Sequence, residues 1–191
     1  MKSGLMLRVN PNADRQKEDF YATSPKALEL FLNKIKEDGF KIKGVIWECA
    51  CGKGHLSEEL KRNGYLVKST DLIDRGYGKG NVDFLKHNIR AWGTSILTNP
   101  PFKLAERFVE NGLDVIQQDY HLILFLKIQF LEGQKRKKLF KKYPPKYIYC
   151  HSSKQLCAKD AEFEKYTATT QFYAWYVWEK GFKGDTIIKW I

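Results

Sequence analysis

Apolar residues recur along this chain in two periods that take turns. Leu28, Phe31, Leu32 and Ile35 are spaced by three and four, which puts them on one face of a helix. Ser24 is placed to cap that helix, Pro25 suits its first position, and Gly39 ends it. Val45-Ile46-Trp47 is a short apolar run and predicts a buried strand; a helix over Leu56 to Arg62 follows, stopped by Asn63-Gly64. A second strand is expected over Tyr65 to Thr70, ending at Asp71, then a brief extended piece at Asp83-Phe84-Leu85 and a strand over Ser95 to Thr98. Beyond these the pattern predicts a helix over about 104–117, an apolar strand from His121 to Leu126 and a basic helix near 129–142. Lys146 to Tyr149, the aromatic run Phe172 to Trp178, and Thr186 to Trp190 read as closing strands, the last two joined by a turn over Gly181 to Asp185.

Strands that alternate with helices imply an α/β domain whose mostly parallel sheet carries helices on both faces. The last strands have fewer helices between them, so an antiparallel strand is expected near the C-terminus. Residues 1–18 are polar, include Asn10-Pro11-Asn12 and read as a loose arm; 19–191 read as one domain, without an internal repeat or a dividing linker.

Composition narrows the class. A chain of 191 residues with 43% hydrophobic positions can bury a sizeable core, which excludes wholesale disorder. No apolar run is long enough for a membrane span, and the first twenty residues lack the pattern of a signal peptide, so the reading is cytoplasmic. Thirty-three Lys and Arg against 22 Asp and Glu leave +11, a balance that suits a polyanionic partner as well as plain solubility. Cys49, Cys51, Cys150 and Cys157 make no dense disulfide framework, and Cys150, His151 and Cys157 lack zinc-site spacing, so structural thiols and no metal are expected.

Candidate chemistry gathers at the predicted strand ends. In Glu48-x-Ala50-x-Gly52-x-Gly54 the glycines permit a sharp strand-to-helix turn and close approach of a ligand. Asp71, with Leu72 beside it, ends the following strand 17 positions beyond Gly54, where a carboxylate can accept bonds from ribose hydroxyls. Asp83 can accept from an adenine amino group while Phe84 offers an apolar face; a helix cap is the plainer role for Asp83. Asn99-Pro100-Pro101-Phe102 follows a strand directly, and two prolines cannot serve a central ladder. They stiffen a loop that holds the Asn99 amide oxygen and the Pro100 carbonyl as adjacent acceptors. An exocyclic amino group, whose lone pair is delocalised into its ring, needs such a pair to recover nucleophilicity in the transition state. Phe102 can stack on an extruded base.

These residues resemble the Rossmann-like S-adenosylmethionine-dependent methyltransferases of the amino-group type, and among them the small adenine-N6 DNA methyltransferases of phages and prophages. The resemblance runs from about Asp19 to the C-terminus. It implies S-adenosylmethionine as cofactor, with Tyr21 and Thr23 of the N-terminal motif at its methionine part; Ala22 and Ser24 depart from that motif, where prolines are common. It further implies Glu48, Ala50, Gly52 and Gly54 as the cofactor loop, Asp71 and Leu72 at the ribose, Asp83 and Phe84 at the adenine, and Asn99 to Phe102 as the catalytic tetrad. Phe125-Leu126-Lys127, Gln129 to Gly133 and Tyr173 to Lys180 are similar to the family's later elements.

Only 16 positions separate Asp83 from Asn99, so target reading must come from elsewhere. Lys135, Arg136, Lys137, Lys138, Lys141 and Lys142 form a basic cluster suited to phosphates, and the segment from Ser152 to Thr170 is long for a strand connection. DNA is the preferred partner. An RNA methyltransferase acting on adenine N6 or guanine N2 would use the same loop. A glutamine-directed protein methyltransferase usually carries Tyr in place of Phe102. A binding module that has lost activity is a further reading, against which the intact Asn99 and glycine loop weigh.

Overall fold

The structure is a computed structural model and describes residues 21–87, 91–153, 157–159 and 171–191. In chain order the described elements are β1 (Tyr21–Thr23), α1 (Pro25–Glu37), β2 (Val45–Glu48), α2 (His55–Arg62), β3 (Val67–Ser69), β4 (Thr94–Thr98), α3 (Ala105–Val115), β5 (His121–Lys127), α4 (Gln134–Lys142), β6 (Tyr147–Cys150), β7 (Cys157–Lys159), β8 (Tyr173–Glu179) and β9 (Ile187–Trp190). Residues 1–18, the expected arm, lie outside the described residues, as does most of 152–170.

Seven strands form one sheet in the order β3-β2-β4-β5-β8-β6-β9. Strands β3, β2, β4 and β5 run parallel, β8 runs antiparallel to both β5 and β6, and β9 is parallel to β6. The expected mostly parallel α/β sheet with an antiparallel strand near its C-terminal end is what the chain adopts. Its two faces are separated by the strand period of two. Leu122, Leu124 and Leu126 of β5 join Trp47, Ile96, Tyr176 and Trp178 beneath α3 and α4. Ile123 and Phe125 join Ile46, Leu97, Trp175 and Val177 beneath α1 and α2. Helices cover both faces, which is why six consecutive residues of β5 are buried and no polar alternation shows in its sequence. Helix α1 is pinned to the sheet by Trp175, whose indole Nε1 donates to the Ala27 carbonyl at 3.2 Å.

Four local expectations need correction. Asp83-Phe84-Leu85 is not extended: Asp83 caps a 3-10 turn over Phe84–Lys86, its side chain accepting from the Leu85 N–H at 3.0 Å. A short carboxylate that bonds the backbone two residues on competes with extension. The second strand is shortened to three residues, since Leu66 is exposed and Thr70 makes only an isolated bridge to Lys79. The basic helix is split, because Gly133 at φ +110° separates a 3-10 turn over Ile128–Leu131 from α4. Ser24 precedes α1, but its side chain makes no capping bond; Pro25 at the first position supplies the start. Strand β7 was not foreseen: it pairs antiparallel with β1, Thr23 opposite Cys157, in a small separate sheet.

Candidate active site

The parallel strands β2, β3, β4 and β5 share one carboxyl edge, where an open α/β sheet presents its loops to a ligand. A cavity of about 400 Å³ lies at this edge. Its walls include Glu48, Ala50, Asp71, Leu72, Asp83 and Phe84, and at the other side Thr23 with Asn99 to Phe102. Most of the residues picked out from the sequence, spread over eighty positions, therefore face a single space.

Glu48 ends β2 and is 2% exposed. Its Oε2 accepts from the Ser57 hydroxyl, and Ser57 in turn shares a 2.6 Å bond with Ser69. Burial pushes the Glu48 carboxyl up to about 8, the Ser57 hydrogen bond opposing and the nearby Asp71 charge adding to it. Asp71 is 8% exposed and clamps two loops: Oδ2 accepts from the Gly52 N–H at 2.8 Å, Oδ1 from the Ile73 N–H at 2.9 Å. A carboxylate oxygen carries two lone pairs, so each retains a site for a ligand hydroxyl.

The two glycines do not line the cavity. Gly52 (φ +55°) points its N–H at Asp71, and a Cβ on Gly54 (φ +85°) would lie 2.5 Å from the Tyr77 ring. The sharp turn and close approach that the sequence suggested occur here on left-handed backbone, but the body that approaches Gly54 is a side chain of the same protein. Asp83 reaches the cavity while capping its 3-10 turn, with Lys86 Nζ 3.5 Å from Oδ2. Phe84 is 2% exposed and wedged between Trp47 and Phe108, with ring centroids 5.4 and 4.9 Å away, so it supplies an apolar floor.

Asn99 leaves β4 and donates from Nδ2 to the Thr23 hydroxyl at 2.9 Å, a bond spanning 76 residues. Pro100 is buried, and the Pro101 carbonyl accepts from the Leu104 N–H at 2.8 Å, starting the 3-10 turn that leads into α3. Phe102 is partly buried, with Lys127 Nζ 4.8 Å from its ring centre and Tyr173 6.0 Å away at a 32° tilt. Tyr173 stacks on Phe125 at 5.1 Å.

Of the remaining candidates, Tyr21 is placed only as backbone on β1, and its side chain lies outside the described residues. The basic cluster is spread along α4, which runs from the carboxyl edge toward the amino edge. Arg136 sits near the start, ion-paired to Glu106 at 3.3 Å and donating to the carbonyls of Gln129 and Glu132. Tyr143, just past the end, accepts at its carbonyl from Trp178, which pairs with the first half of β5. Arg136 is thus engaged in holding the turn before α4. Lys135, Lys137, Lys138, Lys141 and Lys142 are exposed, and Lys141 and Lys142 lie roughly 10 Å further along the helix from the cavity edge than Lys135.

Sequence reasoning missed His55, Arg75 and Lys103 on the cavity wall, and Lys127 and Tyr173 against Phe102. Lys103 and Lys127 were open to discovery: one adjoins the Asn-Pro-Pro-Phe loop, the other ends a parallel strand on the ligand edge. Tyr173 carried no such signal, because only strand order brings β8 beside β5.

No protein-family profile matches the chain, and no curated protein sequence does either. Solved structures do. A Listeria monocytogenes protein described provisionally as a class I S-adenosylmethionine-dependent methyltransferase superposes with a TM-score of 0.61 at 14% identity, covering 87% of this chain and 64% of its own. The methyltransferase subunit of a type I restriction-modification system from Streptococcus thermophilus gives 0.59 at 13%, covering 86% and 46%. The fold is that of the class I methyltransferases. A Lactococcus lactis protein described provisionally as a hemolysin shares it, with a TM-score of 0.63 at 12% identity over 88% of this chain and 93% of its own. The chain thus spans less than two thirds of the length of both methyltransferase neighbours, and at such identities the likeness establishes the methyltransferase fold alone.

Proposed function

We infer that this protein binds S-adenosylmethionine in the carboxyl-edge cavity and methylates the exocyclic amino group of a nucleic-acid base, adenine N6 in DNA. One observation carries the reading. The Asn99-Pro-Pro-Phe102 loop and the acidic residues Glu48, Asp71 and Asp83 line the same cavity.

The residues present fit that cofactor. A volume of about 400 Å³ falls within the roughly 300–1,000 Å³ of small-molecule sites. Asp71 retains lone pairs for ribose hydroxyls, Asp83 can accept from the adenine amino group, and Leu72, Phe84 and Phe108 offer apolar surface to its ring. Glu48 is buried beside them, where a carboxyl can meet the amino end of the methionine part. When bound, the cofactor supplies an electrophilic methyl group. The protein supplies position and polarity. Asn99 Oδ1 and the Pro100 carbonyl accept the two amino protons of the base, returning lone-pair density to its nitrogen as the new bond forms. Phe102 bears on the face of the base, and the surplus proton leaves to solvent. No side-chain base is required, since the amine is acidic once methylated.

The charge of +11 supports a polyanionic substrate. That a type I restriction-modification methyltransferase subunit and a Pyrococcus horikoshii protein described provisionally as an RNA methyltransferase share the fold supports a nucleic-acid substrate. The test is incubation with methyl-labelled S-adenosylmethionine and duplex DNA, structured RNA or no acceptor, followed by nucleoside analysis. Label in N6-methyladenine from DNA is expected; label only in RNA nucleosides, or in none, overturns the reading.

A further inference from the structure

Two separate loops make the acidic side of the cavity. One is the turn between β2 and α2, which brings Glu48 and Ala50; the other is the 71–83 loop after β3, which brings Asp71, Leu72, Ile73 and Asp83. The base of the second loop is fixed by backbone bonds. The Lys79 N–H donates to the Ser69 carbonyl at 3.0 Å, the Asp71 N–H to the Lys79 carbonyl at 3.1 Å and the Val82 N–H to the Asp71 carbonyl at 2.9 Å. Those bonds leave the tip, 72–78, outside the sheet, and Leu72 on it is 57% exposed although it lines the cavity.

Tyr77 turns this tip back onto the first loop. Its ring lies so close to Gly54 that a Cβ added there would be 2.5 Å from it. Its hydroxyl donates to the Glu58 carboxylate at 2.5 Å and accepts from Lys61 Nζ at 3.0 Å, and Lys61 Nζ also donates to Glu58 at 2.9 Å. The directions are fixed, because an ammonium has only donors and an ionised carboxylate only acceptors. The Cys51 thiol donates to the Tyr77 carbonyl at 3.6 Å, so backbone and side chain of Tyr77 both meet the segment that opens α2.

Glu58 and Lys61 are about half exposed, and charged bonds in that setting contribute little to global stability. The Tyr77 ring belongs to neither hydrophobic core and rests on a glycine. Such a side chain is poorly placed to stabilise the fold and well placed to clasp one cavity wall to the other. We propose that Tyr77 is a positioning residue for the cofactor: by tying the 72–78 tip to Gly54 and α2, it holds Leu72 and Ile73 against the cavity in which S-adenosylmethionine binds. This rests on the reading of the cavity given above. A tip that closes only part of the time lowers the apparent affinity by the closed fraction.

The experiment compares three full chains: the wild type, Tyr77→Phe, which keeps the ring on Gly54 and loses the two hydroxyl bonds, and Tyr77→Ala, which loses both. Calorimetric titration with S-adenosylmethionine should give a Kd raised on the order of tenfold in Tyr77→Ala, as for a tip closed about a tenth of the time, and raised less in Tyr77→Phe. Amide hydrogen exchange separates this local role from a general loss of stability. Without cofactor, exchange over 72–82 should quicken from wild type to Tyr77→Phe to Tyr77→Ala while β2, β4 and β5 keep wild-type protection, and saturating cofactor should slow it in all three. Equal Kd values in the three proteins overturn the proposal, as does faster exchange spread over the whole sheet. Should Tyr77→Ala not fold, Tyr77→Phe against the wild type decides by the same two measurements. A wild type that binds no S-adenosylmethionine overturns the reading of the cavity and this role with it; wild-type binding that the variants match overturns the role of Tyr77 alone.

Discussion

Glu48 and His151 are buried ionisable side chains whose titrations pull stability in opposite directions. Burial raises Glu48 from 4.5 to about 8, so between those values the folded state holds a proton that the unfolded state has lost, and stability declines as pH rises. Burial lowers His151 from 6.5 to about 4, so over that lower span stability grows with pH. His55 and His121 are likewise lowered, chiefly by burial, and act below 6.5. The histidine effects fade over about the first pH unit above 6.5, while the Glu48 effect runs up to about 8. The lead of the wild-type urea midpoint over that of Glu48→Gln should shrink between pH 6.5 and 8, a comparison in which the histidines cancel; a lead that grows over the interval contradicts the assignment. At the same scale, Asn99→Ala should lower turnover by on the order of 10²-fold, the usual cost of one lost transition-state partner, with cofactor affinity nearly intact. Survival of turnover with only a raised KM would make Asn99 a binding residue.

Among the elements, the turn between β2 and α2 is the one whose glycines were legible in outline and misread in detail. A sharp turn and close approach at Gly52 and Gly54 were expected from the strand-to-helix switch, and both adopt left-handed backbone. What Gly54 accommodates is the Tyr77 ring, whose hydroxyl donates to Glu58 at 2.5 Å and accepts from Lys61 at 3.0 Å. Nothing near Gly54 in the chain announces Tyr77, which comes 23 positions later. Gly54→Ala should therefore destabilise the fold by about 2 kcal/mol or more, combining left-handed strain with displacement of that ring. Thermal unfolding measures it. A substitution that leaves Tm unchanged would mean that the turn and Tyr77 move apart freely. Gly39→Ala is the control, with φ +69° but nothing within 4 Å of the added carbon.

For the whole molecule, the net charge of +11 matters less than where the lysines sit. Helix α4 carries its basic residues away from the cavity edge, while Lys103 lies on the cavity wall and Lys127 over Phe102. If a duplex lies across that edge, Lys103→Ala with Lys135→Ala should reduce the log–log salt slope of DNA binding by up to about 0.9 per lost phosphate contact. Lys141→Ala with Lys142→Ala removes the same formal charge and should change the slope little. Equal effects from the two pairs would place the duplex along the length of α4. In either case the loss should be the same for all sequences, because phosphate contacts carry no base information.

The sequence by itself determined the α/β class, the order of the main elements and half of the cavity-lining set. Each of these rests on local rules: helical and strand periods, proline without an N–H, glycine with positive φ, and the tendency of parallel strands to present their carboxyl ends to ligands. Asn99 to Phe102 was legible because four neighbouring residues make one loop, and all four line the cavity. The tertiary structure alone decided what touches those residues. Thr23 meets Asn99 across 76 residues, Lys127 covers Phe102, and Asp71 secures Gly52. Those contacts depend on strand order and on how α1 docks, and both are set by packing of two hydrophobic faces at once. The alternation of a single strand records which of its side chains are buried, but not which strand will lie beside it.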